Sequence, residues 1–202
     1  MMMEVVMDKL SREDLYSLEE YSRMRAEFRS KVMEHKKFRK VHLGEHITLY
    51  FEDRMTMQYQ IQEMLRVERI FEADGIQDEL DAYNPLIPDG SNWKATMMVE
   101  YSDVEERKEA LSRLIGVEDK VWVQVAGCEK VYPICDEDLE RDTEEKTSSV
   151  HFMRFELSSE MVAAIHSGAS IAIGVEHPHY HAVVDPLPVE ISDSLSADLH
   201  RH

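Results

Sequence analysis

The stretch Arg54–Glu72, RMTMQYQIQEMLRVERIFE, contains neither Gly nor Pro, and its spacing predicts one long helix. At about 100° per residue, Met57, Ile61, Met64, Leu65, Val67 and Phe71 fall on one wide arc, with Tyr59 and Ile70 beside it. A helix with so broad an apolar face is expected to be largely buried. Gln60 and Glu68 lie inside that arc and Glu63 on its border, while Gln58, Gln62, Arg66 and Arg69 take the side expected to be wettest. A carboxylate on such a face has to be paired, protonated or bound to a metal.

Outward from this helix, strands and helices interleave. Upstream, Ser11 to Asp14 has the form of a capping box and predicts a helix through Phe38, after which His46–Phe51 alternates as a strand. Gly75 is expected to stop the central helix, and Gln77–Tyr83 forms a further short one. Trp93–Tyr101 and Ser149–Leu157 alternate as strands, the second placing His151, Met153 and Phe155 on one face and Arg154 and Glu156 on the other. Asp103 caps a helix to about Leu114, Lys120–Ala126 and Lys130–Ile134 form a hairpin near Gly127, and Asp136–Thr147 is an acidic segment expected to be mobile. A short helix to His166, a strand from Ala169 to Val175 and a last helix over Glu190–Leu199 complete the chain. The pattern predicts an α+β fold: a loose start over residues 1–10, then one domain over 11–202 with a mainly antiparallel sheet of about five to six strands.

With 202 residues the chain is long enough to bury a core, and no apolar run reaches the roughly 20 residues needed to cross a bilayer. The start MMMEVVM does not read as a signal peptide, so a cytoplasmic location is expected. Cys128 and Cys135, with six residues between them, match neither redox nor zinc spacing and are expected to be buried free thiols. A net charge of -18 argues against nucleic acid as the main partner. Arg23 to Lys40 nevertheless carries eight basic residues against Glu27 and Glu34, a local balance of +6 that leaves -24 for the rest. That stretch is either a solvated helix end or, through Arg25, Arg29, Lys36, Arg39 and Lys40, a docking site for an acidic partner.

No phosphate-binding glycine loop, HExxH or GxSxG occurs, so the large enzyme classes that depend on them lose ground. Histidines and carboxylates remain: Glu63, Glu68, His151, Glu156 and His177, a combination suited to iron, manganese or zinc. Glu63 and Glu68 are about 140° apart around a helix and cannot serve one ion together. His177, His179 and His181 would share a face if extended, although Pro178 interrupts that strand. Against each of these stands a bland reading, in which Glu68 is held by an Arg or by backbone donors and His151 is a satisfied core residue.

The blocks LYFEDRMTMQYQIQEMLRVERIFEADGI, ELDAYNPLIPDGSNWKATMMVEY, GVEDKVWVQVAG, DEDLERDTEEKTSSVHFMRFEL and GVEHPHY occur in order from about Leu10 onward. They resemble an uncharacterised bacterial family, domain of unknown function thirty-five hundred and one (DUF3501). The resemblance carries Glu52, Gln60, Glu63, Arg66, Glu68, Asn84, Asp89, His151, Arg154, Glu156, His177, Pro178 and Tyr180, whereas Cys135, His179 and His181 depart from the pattern. It implies no established activity, and its members' genes often lie near those of rubrerythrin and an iron-sulfur oxidoreductase subunit, which implies a redox-stress setting. Three readings stand together. The first is a metal site, iron foremost, or a small redox-related ligand, contributed by Glu68, Glu63, His151 and His177, with Gln60, Arg154 and Glu156 as further buried polar groups. The second is a non-catalytic partner protein docking an electron-transfer protein through Arg25, Arg29 and Lys36. The third, an enzyme using Glu68 as a general base, lacks any nucleophile or oxyanion signature.

Overall fold

The structure, a computed structural model, describes residues 9–200. Of the start expected to be loose, residues 1–8 lie outside the described residues, but Leu10 is buried and exchanges hydrogen bonds with the Asn84 side chain at 2.8 and 2.9 Å. In chain order the elements are α1 (Leu18–Lys37), β1 (Lys40–Leu43), β2 (Ile47–Glu52), α2 (Arg54–Val67), α3 (Ala73–Tyr83) and β3 (Asn92–Val99). There follow α4 (Val104–Arg113), β4 (Val121–Val125), β5 (Lys130–Val131), β6 (Ile134–Cys135) and β7 (Val150–Glu156). The chain closes with α5 (Ser159–His166), β8 (Ile171–His177), β9 (Tyr180–Val184) and α6 (Val189–Ser196).

The fold is α+β in a single domain, and its strands divide between two antiparallel sheets, ordered β1-β2-β3-β7-β6 and β5-β4-β8-β9. The first is the antiparallel sheet of five to six strands that was expected, and the second adds four more. The chain passes between them at Pro133: Val131 still pairs with Val123 of β4, whereas Ile134 and Cys135 pair with Arg154 and Met153 of β7. Proline has no N–H to continue a ladder, so the chain leaves one sheet there and joins the other.

The two sheets share one core. Strict alternation turns Trp93, Ala95, Met97 and Val99 of β3 inward, and the register pairs Trp93 with Phe155, Ala95 with Met153 and Met97 with His151. Val121, Val123 and Val125 of β4 and Ile171, Ile173 and Val175 of β8 face them in the same cluster, with Leu111, Val162, Ile165 and Leu195 of the later helices at its margins. Lys94, Thr96 and Arg154 occupy the alternate positions of β3 and β7 and face outward.

The Arg54–Glu72 stretch departs from the long buried helix that its composition predicts. Helix α2 stops at Val67, and Gly75 lies inside the next helix rather than at a stop. Glu68 is the C-cap and Arg69 adopts a left-handed φ of 54°, so that Ile70 N–H reaches back to Leu65 O at 2.8 Å. This six-to-one closure, with Ile70 packing beside Leu65, is a Schellman ending. It is carried by a non-glycine residue, which is why no sequence signal marked it. Val67 and Phe71 are consequently exposed. Gln62, placed by the helical wheel on the wet side, is fully buried and accepts from Tyr16 N at 2.7 Å, because α1 and its approach cover that side. The apolar residues of α2 join a second, smaller cluster with Leu10, Leu80 and Ile87, apart from the core between the sheets.

The first helix also begins later than expected. The Ser11–Asp14 box closes only one 3₁₀ turn, and α1 opens at the Ser17–Glu20 box. His177, His179 and His181 do not line one extended face, since Pro178 and His179 make the tight turn between β8 and β9 and His177 pairs with Tyr180 across it, the interruption expected of Pro178. Arg39, counted among the exposed basic residues, is buried: its guanidinium donates to Phe51 O (2.9 Å) and Glu52 O (3.2 Å) of β2, to Ser194 O (3.2 Å) of α6 and to Asp198 just beyond it, tying α6 to β2.

Replacing Arg69 with Gly should stabilise the protein by about 0.5–1 kcal/mol, the relief of a left-handed L-residue less the added freedom of the unfolded chain. A shift of the urea midpoint to higher concentration with unchanged slope is the expected observation, and a lower midpoint would contradict the assigned helix ending.

Candidate metal centre around His151

Period-two alternation on β7 sends the imidazole of His151 into the core, fully buried. An imidazole there must find partners for both nitrogens. Nδ1 donates to Asp136 Oδ2 at 2.5 Å, and Nε2 lies 2.8 Å from Thr147 Oγ1 and 3.1 Å from Ser148 O. A carbonyl oxygen and an ionised carboxylate only accept, and the Thr147 hydroxyl spends its own proton on Asp142. The ring is thus surrounded by acceptors. Two more carboxylate oxygens approach Nε2: Asp142 Oδ1 at 3.9 Å and Glu118 Oε2 at 4.0 Å.

Each acid is delivered by a local feature of the chain. Gly116, at φ 78°, turns the chain after α4 into a 3₁₀ turn, Val117–Lys120, which points Glu118 inward. Asp136 follows β6 directly at φ 50°, and its Oδ1 accepts from Phe152 N at 2.9 Å. Asp142 accepts from Gly116 N at 2.8 Å, and Thr147 N donates to Leu111 O at 3.0 Å. The acidic segment expected to be mobile is therefore folded back over the sheet by its own carboxylates. Arg141 contributes the nearby cation, 3.0 Å from Asp136 Oδ1 and 2.6 Å from Asp138, with its guanidinium over the Phe152 ring.

Among the described residues, Glu118, Asp136 and His151 form the one group whose metal-ligating atoms all lie within 4.8 Å of one another. Glu118 Oε2 is buried without a hydrogen-bond partner. Burial, reinforced by Asp142 and Asp119 and opposed by a backbone N–H and His151, pushes the Glu118 carboxyl up to about 7. Adjacent donors around an ion with bonds of about 2.1 Å stand roughly 3–3.5 Å apart. The Nε2 separations of 3.9 and 4.0 Å thus exceed a coordinating geometry by about half an ångström, within reach of side-chain adjustment. The Nδ1–Asp136 contact matches the carboxylate–histidine pair that orients metal-bound imidazoles. Cys135 borders the site, its Sγ 3.6 Å from Glu118 O, but burial and the surrounding acids push its thiol well above the ordinary range.

Of the residues singled out from the sequence, only His151 belongs to this cluster. Glu68 is exposed at the end of α2. His177 donates from Nε2 to Ile115 O at 3.0 Å and accepts from His179 N at 3.1 Å, which occupies both nitrogens. Glu63 is chelated by Arg25 at 2.7 and 3.0 Å and accepts from Tyr21 OH at 2.7 Å, so Arg25 above all holds its carboxyl below the usual range. Gln60 is half-buried on α2. Arg154 is held by Glu137 at 2.7 and 3.0 Å and by Glu156 at 2.5 Å, and Glu156 also accepts from Asn92 at 2.9 Å. Of the docking trio, Arg25 is committed to Glu63 and Lys36 lies 5.4 Å from the Tyr59 ring centroid, while Arg29 is on the same helix, α1. Glu118, Asp136, Asp142 and Thr147 escaped sequence reading. The available signal was an acid-rich segment immediately before a strand that points a histidine inward.

The metal-free protein should lose stability as pH rises from about 4.5 to 7. The unfolded chain releases the Glu118 proton near 4.5, the folded protein holds it to about 7, and the extra bound proton favours the fold only below that range. Glu118→Gln should flatten this part of the profile and exceed the wild type above pH 7 by roughly 1–3 kcal/mol. Urea melts across the range would show an unchanged slope with pH if the assignment were wrong.

A search of curated proteins finds no match to this chain. Among solved structures, one similar chain is described as a novel protein of unknown function from Burkholderia pseudomallei K96243, with 50% identity and a TM-score of 0.88, over 96% of this chain and 100% of that one. Among the described residues, no helix is long and apolar enough to cross a membrane. Residues 9–199 match the family described as protein of unknown function, DUF3501, and the chain belongs to that family.

Proposed function

We propose that this protein binds a divalent transition-metal ion between His151 Nε2 and the carboxylates of Glu118 and Asp142, with Asp136 orienting the imidazole from Nδ1. The observation that carries the reading is the orphaned Oε2 of Glu118, buried 4.0 Å from the imidazole in a group of three metal-ligating residues. An unpartnered carboxylate oxygen in a core is costly, and an ion in front of it would remove that cost. One nitrogen with several carboxylate oxygens suits iron, manganese or zinc better than a thiolate-selecting ion. Iron is the first ion to test, and a redox-stress setting for it rests on the family resemblance alone. Binding requires the proton on Nε2 to leave and Thr147 to yield its contact, so the ion would compete with protons.

The competing account has the same residues acting as a charge cluster that pins residues 136–147 to the sheet without any ion. The two accounts part on metal content. Protein purified without a histidine tag and loaded anaerobically with Fe(II), or separately with Mn(II) or Zn(II), should retain about one equivalent of one of them after desalting. His151→Gln and Glu118→Gln should each reduce that to background while keeping the native circular dichroism spectrum. Less than about a tenth of an equivalent of every ion, or equal retention in a folded His151→Gln protein, would leave the charge cluster as the explanation.

A further inference from the structure

The opposite face of the same strands holds a cavity of about 420 Å³. It opens between the outer side of β3 and β7 and the corner where α3 runs into Asn84–Leu86. Tyr83, Pro85 and Leu86 line one side, and Phe152, Arg154 and Lys94 line the other. That size and an apolar lining with a few fixed polar groups are what small-molecule sites present.

Five charged side chains line the cavity, Lys94, Arg154, Asp81, Glu137 and Asp138, and Asp81 accepts from Gln77 Nε2 at 2.8 Å. Arg154 is spoken for, because Glu137 engages it through two nitrogens and Glu156 through a third. Asp138 at the rim is likewise held by Arg141 at 2.6 Å. Lys94 differs from both. Its register partner on β7 is Arg154, a like charge, and on β2 it is Glu52, whose carboxylate oxygens accept from Thr56 and Thr96 at 2.6 and 2.9 Å. The Lys94 ammonium donates to Pro85 O at 2.9 Å, and among the described residues no carboxylate lies within 4.0 Å of it. An ammonium has three protons to place, so two remain for a guest. Burial, followed by the charge of Arg154, depresses the Lys94 pKa against the opposing pull of Glu137, Asp89 and Glu156.

We infer that this cavity binds a small organic carboxylate, its acid group on Lys94 Nζ and its apolar body between Tyr83, Leu86 and Phe152. A neutral guest of the same shape would leave the ammonium unpaired. The inference is independent of the metal reading, since the cavity lies on the other face of β7 from His151 and shares no residue with the proposed ligand set.

Calorimetric titration of the full chain with 3-phenylpropionate and with its neutral amide tests it. The carboxylate should bind about tenfold or more tightly than the amide, the usual margin of a charge-assisted contact. Lys94→Met should abolish the preference while leaving the weak binding of the amide, and Leu86→Trp, which fills the cavity, should remove both. Thermal melts of each variant establish that it is folded. Equal affinity for acid and amide, a preference that survives in Lys94→Met, binding that survives in Leu86→Trp, or no binding of the carboxylate at millimolar concentration would overturn the inference.

Discussion

The register between β3 and β7 is the constraint on which the rest depends. Seven residue pairs, from Asn92 opposite Glu156 to Met98 opposite Val150, fix which side chains enter the core and which leave it. Slipping that register by one position would turn every side chain of a strand to the wrong face. Because Trp93, Ala95, Met97, Met153 and Phe155 must be inside, His151 is inside as well, and Lys94 and Arg154 are outside. The apolar residues thereby impose a buried imidazole on the protein, and the same pairing sets two cations side by side on the other face.

A buried imidazole surrounded by acceptors then organises its neighbourhood. Residues 136–147 carry few apolar side chains with which to hold themselves down, yet Asp136, Asp142 and Thr147 anchor them to the sheet and to the chain beyond α4. Removing Asp136 would cost about 3–5 kcal/mol, because His151 Nδ1 and Phe152 N–H would be left buried without their acceptor. The cluster and the cavity also share this segment. Asp136 holds His151 on one face of β7, while the next residue, Glu137, holds Arg154 on the other. An event that displaced Asp136 would therefore be felt at the cavity rim.

The helices follow a different logic. Their apolar residues assemble a satellite cluster, and it is polar contacts that fix its approaches: Gln62 with Tyr16, Glu63 with Arg25 and Tyr21, and Asn84 with Leu10. Most of the in-arc polar groups that made Arg54–Glu72 look like a site are thus exposed or paired. The buried Arg39, bonded to backbone oxygens and Asp198, joins β2 to α6 near the far end of the chain.

The amino-acid sequence by itself determined the α+β class, the inward faces of β3 and β7 and the cap at Asp103, because two-residue alternation and side-chain capping depend on neighbours along the chain. It also sufficed to mark His151 as a buried polar residue of interest. Only the tertiary structure decided that α2 ends at a left-handed Arg69, that Pro133 passes the chain from one sheet to the other, and that Gln62 is covered by the approach to α1. The partners of His151 belong to the same category. Glu118, Asp136 and Asp142 come from two other segments, and nothing in their local spacing records that the β6–β7 pairing and the Gly116 turn bring them to one imidazole. Local chemistry fixes which groups need a partner, whereas packing of distant segments fixes which partner each one finds.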